Sequence, residues 1–206
     1  MFIMSNFGLV VIGAHHGYWL QDEIKKTSKN ILLVEPVPYN ILQLKERYKN
    51  LNNIYFDQSF VSNDNSIISF FFVKEDSISK LKKHWASGIG SFSKKFILDH
   101  KSKHFKIEDN DINEIKIQSK TFSELCKKYN ISIIDRLLID VEGSEKKIIE
   151  SIDYKKIFIK EIVFEYKHLD GTFSFQNNLK KLIKFLNSKN FKETTRDKEN
   201  ITFKIS

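Results

Sequence analysis

The 206-residue sequence has little cysteine, little proline and no long apolar run. Its single cysteine, Cys126, excludes an internal disulfide and favours a reducing compartment, so we expect a cytoplasmic protein. No apolar stretch approaches the roughly 20 residues that cross a bilayer, and the apolar N-terminus lacks the basic region of a signal peptide. Because no Pro-, Gly- or Ser-rich linker divides the chain, we expect one domain over residues 1–206.

Arginine is also scarce, although the formal net charge is +8. The arginines are Arg47, Arg136 and Arg196, and lysines scattered along the chain carry the rest of the positive charge. Guanidinium groups dominate specific readout of bases and much phosphate recognition. The composition therefore favours a solvated lysine surface over a nucleic-acid groove, and it is compatible with an anionic small substrate.

The strongest functional signal is a glycine-bounded turn between two apolar runs. Residues 9–12 suit a buried strand, residues 13–17 form the turn, and a second apolar run over residues 31–34 ends on Glu35. This order is how an α/β sheet holds an adenosine-bearing cofactor. Glycine lets the backbone approach the ligand, the helix start offers N–H groups, and the acid accepts from ribose hydroxyls. The cofactor-binding residues predicted here are Gly13, Ala14, His15, Gly17 and Glu35.

The turn differs from two familiar phosphate-binding motifs. It lacks the third glycine of a dinucleotide fingerprint and the Gly-Lys-Ser/Thr of a phosphate loop. A purely structural turn and a nicotinamide-dependent enzyme therefore stay open as alternatives. Adjacent imidazoles such as His15 and His16 tend to point apart, and no cysteine or carboxylate lies near them at ligand spacing, so we expect no metal site.

Strands that alternate with helices predict an α/β, doubly wound and mostly parallel sheet that ends in an antiparallel hairpin. A capping box at Thr121 and Glu124 predicts a helix start. The polar segment 75–110 is predicted to be irregular, with small residues between aromatics at 85–92, and such segments are often functional. The predicted strands are 7–12, 31–35, 53–57, 66–74, 112–118 (as an edge strand), 137–141, 160–166, 191–195 and 201–205. The other predicted helices are 18–26, 39–49, 144–152 (capped by Ser144) and 173–188.

Two neighbouring strands end in acidic residues. Asp140 and Glu142 follow a buried run, and ligands bind at this carboxyl edge of open α/β sheets. Complementation of a helix dipole explains Glu142 and Glu145 equally well, but it explains Asp140 less well. Glu165 and His168 end the next strand and should line the same crevice. His168 is a candidate proton acceptor, although an exposed loop histidine is an equal alternative.

Together these motifs resemble the FkbM-type family of S-adenosylmethionine-dependent methyltransferases. The matching pieces are Ile12-Gly13-Ala14-His15-His16-Gly17, Val34-Glu35-Pro36-Val37-Pro38, Thr121-Phe122-Ser123-Glu124-Leu125, Leu138-Ile139-Asp140-Val141-Glu142-Gly143-Ser144-Glu145 and Ile162-Val163-Phe164-Glu165. The resemblance implies a Rossmann-like class I methyltransferase fold with a seven-stranded sheet. It places the methionine end of the cofactor over residues 13–17, the ribose on Glu35 and the adenine near residues 57–62, which include Asp57.

The resemblance further implies O-methylation of a hydroxyl on a sugar, glycan or small metabolite. Our hypothesis assigns catalysis to Asp140, Glu142 and His168, with Glu142 as the base and Asp140 also positioning the cofactor. Residues 85–92 would form a lid or acceptor wall. One departure is that Val11 stands where the family usually has an acid. A catalytically silent cofactor-binding or scaffold module is therefore the alternative.

Overall fold

The computed structural model describes residues 5–102, 105–167, 169 and 176–206 of the chain, apart from the side chain of His84. The strands are β1 (Ser5–Ile12), β2 (Asn30–Val34), β3 (Ile54–Asp57), β4 (Phe60–Ser62), β5 (Ile67–Val73), β6 (Gly90–Ser91), β7 (Lys101–Ser102), β8 (Phe105–Lys106), β9 (Ile112–Thr121), β10 (Ile131–Ile139), β11 (Phe158–Glu165), β12 (Phe191–Arg196) and β13 (Asn200–Ile205). The α-helices are α1 (Gln21–Lys25), α2 (Pro38–Arg47), α3 (Glu75–Leu81), α4 (Lys94–Asp99), α5 (Phe122–Lys128), α6 (Glu145–Ser151) and α7 (Gln176–Ser188).

Seven of the strands form the main sheet, in the order β12-β13-β11-β10-β1-β2-β3. β1 pairs in parallel with β2 and β10, β2 with β3, and β10 with β11. Only β13 runs against the others, because it pairs antiparallel with both β11 and β12. This arrangement confirms the predicted doubly wound α/β sheet with a C-terminal hairpin. The central strands are nearly continuous apolar runs because both of their faces are covered.

The register brings the carboxyl ends of the central strands to one level. Ile12 lies opposite Val34 on one side and Ile139 on the other. Ile139 in turn lies opposite Phe164 of β11. The residues that follow these strand ends, Glu35 and Asp140 among them, therefore stand in one row across the edge of the sheet.

Two apolar clusters anchor this row from opposite faces. One contains Val10 and Ile12 with the buried residues of α5, α6 and α7. The other contains Val11 with Leu20 and the buried residues of α2. Successive β1 residues point to opposite faces, so a single strand contributes to both clusters.

The segment between β3 and β10 differs from the sequence prediction. It builds a second sheet in the order β4-β9-β5-β6, and residues 75–110 contain α3, α4 and short strands instead of an irregular stretch. Residues 112–118 of β9, predicted as an edge strand, pair with β5, whereas β4 pairs on the other side with residues 119–121. Val73, Ile97 and Ile107 are buried together in this segment, which orders it although their spacing has no helical or strand period.

Other element boundaries need smaller corrections. The helix predicted from Tyr18 is a 3₁₀ turn over Tyr18–Leu20 followed by the five-residue α1. The capping box is confirmed, since the Thr121 hydroxyl accepts from the Glu124 amide and the Glu124 carboxylate accepts from the Thr121 amide. The predicted start of the helix at residue 173 lies outside the described residues.

Candidate active site

A cleft of about 910 Å³ lies at the carboxyl edge of the main sheet. Five predicted site residues line it: Gly13, His15, Glu35, Asp140 and Glu142. Ala14, Gly17 and Asp57 are not among the described residues that line the cleft. The predicted His168 lies outside the described residues. Glu165, expected in the same crevice, does line the cleft.

At Gly13 the glycine-bounded turn over residues 13–17, which we call the cofactor turn, approaches the loop over residues 140–144, which we call the acidic loop. Its φ is +87°, and an added Cβ would stand 1.7 Å from the carbonyl oxygen of Asp140. The Asp140 amide donates to the Ile12 carbonyl at 2.9 Å, which fixes this approach. Only glycine satisfies both the backbone conformation and the close contact.

Four amides of the turn donate hydrogen bonds inside the protein. The N–H groups of Gly13 and Ala14 donate to the Val34 carbonyl at 3.0 and 2.9 Å, and that of Gly17 donates to the Ala14 carbonyl at 3.1 Å. The His15 amide donates to Glu35 Oε2 at 2.8 Å. The prediction that the helix start offers N–H groups to an anion concerns the residues after Gly17, and it stays a prediction. The four amides of the turn itself are not available to a ligand. The turn folds back onto the end of β2 and thereby consumes them.

Helix α2 holds the far end of the turn. The Tyr48 hydroxyl donates to the Gly17 carbonyl at 2.6 Å. Gly17 has φ +77°, and an added Cβ would stand 2.4 Å from Leu44. Gly17 and the fully buried Ala14 thus shape the turn from beneath instead of lining the cleft.

Glu35 is a buried carboxyl group at the end of β2, only 5% exposed. Besides the His15 amide, it accepts the Val37 amide at 2.9 Å through Oε1. Burial raises the pKa of Glu35 to about 7, against the opposing hydrogen bonds from Val37, His15 and Asn40. The carboxyl group lines the cleft and retains acceptor capacity, so its position fits a ribose diol.

Residues 85–92, which we call the strap, contribute Trp85, Gly88 and Gly90 to the cleft lining. The Ser87 hydroxyl lies 2.5 Å from His15 Nε2, and Asn40 Nδ2 donates to the Ser87 carbonyl at 2.7 Å. At the other end, Lys147 Nζ of α6 lies 4.9 Å from the centre of the Phe92 ring. The strap therefore connects the cofactor turn with the helix that follows the acidic loop. Ser87 lies in the segment predicted as a lid or acceptor wall, but its contact with His15 was not predicted. Asn40 carries no motif in the sequence, so its role was missed.

His15 is strained and electrically neutral. Its φ is +52°, in the left-handed region that non-glycine residues rarely adopt. Burial, and secondarily the neighbouring His16, lower the pKa of His15 to about 3. The imidazole therefore serves as a neutral hydrogen-bonding partner of Ser87 at physiological pH.

The acidic loop is organised by Glu145. This fully buried side chain accepts the amides of Val141 at 2.8 Å and Gly143 at 3.0 Å. Burial raises the pKa of Glu145 well above its usual value, and Asp140 and Glu142 add to the effect. Ser144 occupies the N-cap position of α6, but its side chain makes no capping hydrogen bond, in contrast to the prediction.

Two further features mark this loop. Glu142 has φ +56°, an unusual conformation for glutamate that is often found at functional sites. Carboxylate atoms of Asp140, Glu145 and Glu165 lie within 4.8 Å of one another. Such a group can accept a proton or hold a cation. The sequence analysis placed Glu165 beside Asp140 but explained Glu145 by the dipole of α6, so it did not bring Glu145 and Glu165 together.

Asp57 is held by cations outside the cleft lining. Lys128 and Lys120 contact its carboxylate at 2.6 and 3.1 Å, and the Tyr129 hydroxyl donates to it at 3.0 Å. Burial opposes ionisation, but hydrogen bonds from Lys128, Ser59 and Lys120 outweigh it and lower the pKa of Asp57 to about 2. Ser59 and Phe60, two and three residues further on, line the cleft instead.

Comparisons with known proteins give the family and the fold. A sequence model of a protein family, the methyltransferase FkbM domain, matches residues 12–193. Fibrillarin from Aeropyrum pernix, solved with natively bound S-adenosyl-L-methionine, is 12% identical with a TM-score of 0.50 over 97% of this chain and 66% of that one. Precorrin-6y C5,15-methyltransferase from Geobacter metallireducens is 12% identical with a TM-score of 0.46 over 98% and 82%. A Streptococcus mutans protein in complex with SAH is 8% identical with a TM-score of 0.48 over 98% and 90%. No curated protein matches the chain.

These findings settle the open alternatives on fold and cofactor. The strand order and the family match confirm a Rossmann-like class I methyltransferase fold. They also confirm S-adenosylmethionine as the cofactor, in place of a nicotinamide dinucleotide. None of the helices in the described ranges could span a membrane. The chain belongs to the FkbM methyltransferase family.

Proposed function

We propose that this methyltransferase transfers a methyl group to a hydroxyl on a sugar, glycan or small metabolite. The observation that carries the proposal is the contact between the cofactor turn and the acidic loop at Gly13 and Asp140. When bound, S-adenosylmethionine supplies an electrophilic methyl group. A hydroxyl acceptor must lose its proton, and carboxylates beside the turn can take it.

Gly13, His15, Glu35 and Asp140 would hold the cofactor. Glu35 is placed to accept from the ribose hydroxyls, and the cleft volume lies near the upper end of the range for ligand pockets, about 300–1,000 Å³. Ala14 and Gly17 would act through the shape of the turn. Asp57 would act by orienting the backbone that presents Ser59 and Phe60 to the adenine.

Glu142 is the proposed base, and Asp140 the positioning group. Both line the cleft, and the strained backbone of Glu142 is fixed by the two amides that Glu145 binds. Alignment of donor and acceptor can supply roughly 7–11 kcal/mol, and a base adds about 10²–10⁴-fold. His168 stays a candidate on sequence grounds, and the strap is the proposed lid.

The charge of the cleft supports a neutral acceptor over a nucleic acid. Among the described residues, the basic ones that line it are Lys26 and Arg136, and Glu23 pairs with both. The acidic ones are Asp22, Glu23, Glu35, Asp140, Glu142, Glu165, Asp197 and Glu199. A phosphate backbone would be repelled from such a surface. We further propose one domain in a reducing, cytoplasmic compartment, which is supported by Cys126 as a buried free thiol.

Calorimetry with S-adenosylmethionine and S-adenosylhomocysteine tests the cofactor assignment. Glu35→Ala should weaken both ligands, and unchanged affinity would refute the ribose contact. A screen of hydroxyl acceptors with labelled cofactor tests the reaction. With an acceptor found, Glu142→Gln should lower kcat by about 10²–10⁴-fold, as expected for a general base. Glu150→Gln, on the exposed side of α6, is the matched control.

A catalytically silent module is the second candidate. Val11 favours it, because this residue is fully buried in an apolar cluster where the family usually has an acid. A silent module would bind the cofactor weakly or not at all. Turnover of any acceptor, abolished by Glu142→Gln, would exclude it.

A further inference from the structure

The cleft does not end at the reaction centre. It continues from Asp140 and Glu165 onto the face of the main sheet that carries α1, where the lining residues come from β10, β11, β13 and β12. Leu138 lies opposite Val163, Val163 opposite Thr202, and Thr202 opposite Thr195. One unbroken row of small or aliphatic side chains therefore forms a floor across four neighbouring strands.

Charged and polar groups close this floor on two sides. On the side away from the reaction centre, Arg136 pairs with Glu161 and, at 3.1 Å, with Glu23, and Lys204 approaches Glu161 at 3.5 Å. On the reaction side, Glu165 lies opposite Asn200. We call the area between these two rows the trough.

The dimensions of the trough follow from strand geometry. Four adjacent strands about 4.8 Å apart span about 14 Å, and three rows spaced two residues apart span about 13 Å. A single sugar next to Glu142 would leave most of that area empty. The indole of Trp19, which is 36% exposed, lies along the wall formed by the 3₁₀ turn and α1.

We propose that the trough binds the rest of an extended acceptor, a neutral saccharide chain whose terminal hydroxyl reaches Asp140 and Glu142. This inference rests on the proposed function and names its substrate class. Three properties favour this occupant over others. The trough is continuous with the reaction centre, its threonine, asparagine and carboxylate groups suit hydroxyl partners, and Trp19 offers a flat apolar face. Its cations are already paired with carboxylates, which disfavours a polyanion.

Binding can be measured without turnover, because the floor carries methyl groups. Methyl-labelled protein saturated with S-adenosylhomocysteine is titrated with a set of neutral oligosaccharides of one to four sugars that differ in sugar and linkage. Chains should shift the Val163 and Thr202 methyl resonances and bind at least about tenfold more tightly than the matching single sugar, as expected for added subsite contacts.

Thr195→Arg places a long side chain on the floor and should abolish the gain from chain length. Thr194→Arg is the matched control, since Thr194 is exposed on the same strand and is not among the lining residues. Both variants should keep the parent affinity for S-adenosylhomocysteine.

Three outcomes would refute the proposal that the trough binds a saccharide chain. They are no shift of the methyl resonances with any oligosaccharide, equal affinity for chains and single sugars, or a Thr195→Arg variant that keeps the gain in affinity with chain length. If raising the protein concentration alone shifts the Val163 and Thr202 methyl resonances, the trough is instead a contact surface for a second copy of this chain. In a separate assay with S-adenosylmethionine in place of S-adenosylhomocysteine, chains that bind but are not methylated would leave the trough as a binding site and refute the proposed hydroxyl acceptor.

Discussion

Replacing Glu35 by glutamine should change how the stability of this protein depends on pH. The carboxyl group is buried, and its pKa is raised from 4.5 to about 7, mainly by that burial. Because the folded state holds the proton more tightly, rising pH favours the unfolded state between these two values. Below pH 4.5 both states are protonated and the effect vanishes. Above pH 7 both are ionised and the loss is complete.

The magnitude follows from the two pKa values. A rise from 4.5 to about 7 corresponds to about 3 kcal/mol of unfolding free energy lost between pH 4.5 and 7.5. Glutamine cannot ionise, so Glu35→Gln lacks this loss. It does lose one of the two amide hydrogen bonds from His15 and Val37, an offset that does not vary with pH. The variant should therefore gain about 3 kcal/mol relative to the parent over that pH range.

Urea denaturation at pH 4.5, 5.5, 6.5 and 7.5 and constant ionic strength measures the difference directly. Glu46→Gln, on the exposed face of α2, controls for the loss of one surface charge. A difference between parent and Glu35→Gln that stays constant across the series would refute the argument. It would mean that water or a local rearrangement solvates the carboxylate in the folded protein.

Three further predictions test the geometry of the site. Gly13→Ala should destabilise the fold by more than about 2 kcal/mol in thermal unfolding, because Gly13 has φ +87° and an added Cβ would stand 1.7 Å from the Asp140 carbonyl oxygen. Gly88→Ala is the control and should be nearly neutral, since its Cβ would meet the His15 ring only at 3.6 Å. Glu145→Ala should cost about 2–5 kcal/mol in urea denaturation, since it leaves the Val141 and Gly143 amides without their acceptor, and a smaller loss would show that solvent replaces it. Asp57→Asn should lower stability above about pH 4 and leave it unchanged near pH 2, where the parent carboxylate also becomes protonated; a pH-independent loss would contradict the depressed pKa.

The sequence predicted the main sheet well because its strands are apolar runs separated by turns and helices. Residues 9–12 and 137–139 are almost wholly apolar, which is typical of strands covered on both faces. The second sheet was harder to predict. β9 alternates like an edge strand over residues 112–118, where it pairs with β5, and it pairs with β4 over residues 119–121; both partners are distant from it in the sequence. Pairing of that kind depends on tertiary packing, which local periodicity does not contain.

The same distinction between local sequence pattern and tertiary packing applies to the residues of the candidate site. Gly13, Glu35 and Asp140 could be recognised because each directly follows an apolar strand, and parallel strands end at one edge. Asp57 also follows a strand, but Lys120 and Lys128 approach it from β9 and α5, elements whose position the sequence did not reveal. The contact of Ser87 with the turn was missed for a related reason, although Ser87 lies in the predicted lid segment. Its hydrogen bond to His15 joins residues that are 72 positions apart.

The acidic loop shows that the spacing of residues within a motif does not by itself assign their roles. Glu142 and Glu145 belong to one short motif, and a dipole argument assigns both to the start of α6. In the structure the left-handed conformation of Glu142 leaves its side chain lining the cleft, while Glu145 turns inward and binds the amides on either side of Glu142. Burying Glu145 is costly, and the hydrogen bonds from the Val141 and Gly143 amides offset part of that cost while they hold Glu142 in its strained conformation beside Asp140. Two identical side chains thus have different surroundings: Glu142 lines the cleft, and Glu145 holds the backbone of Glu142 in place.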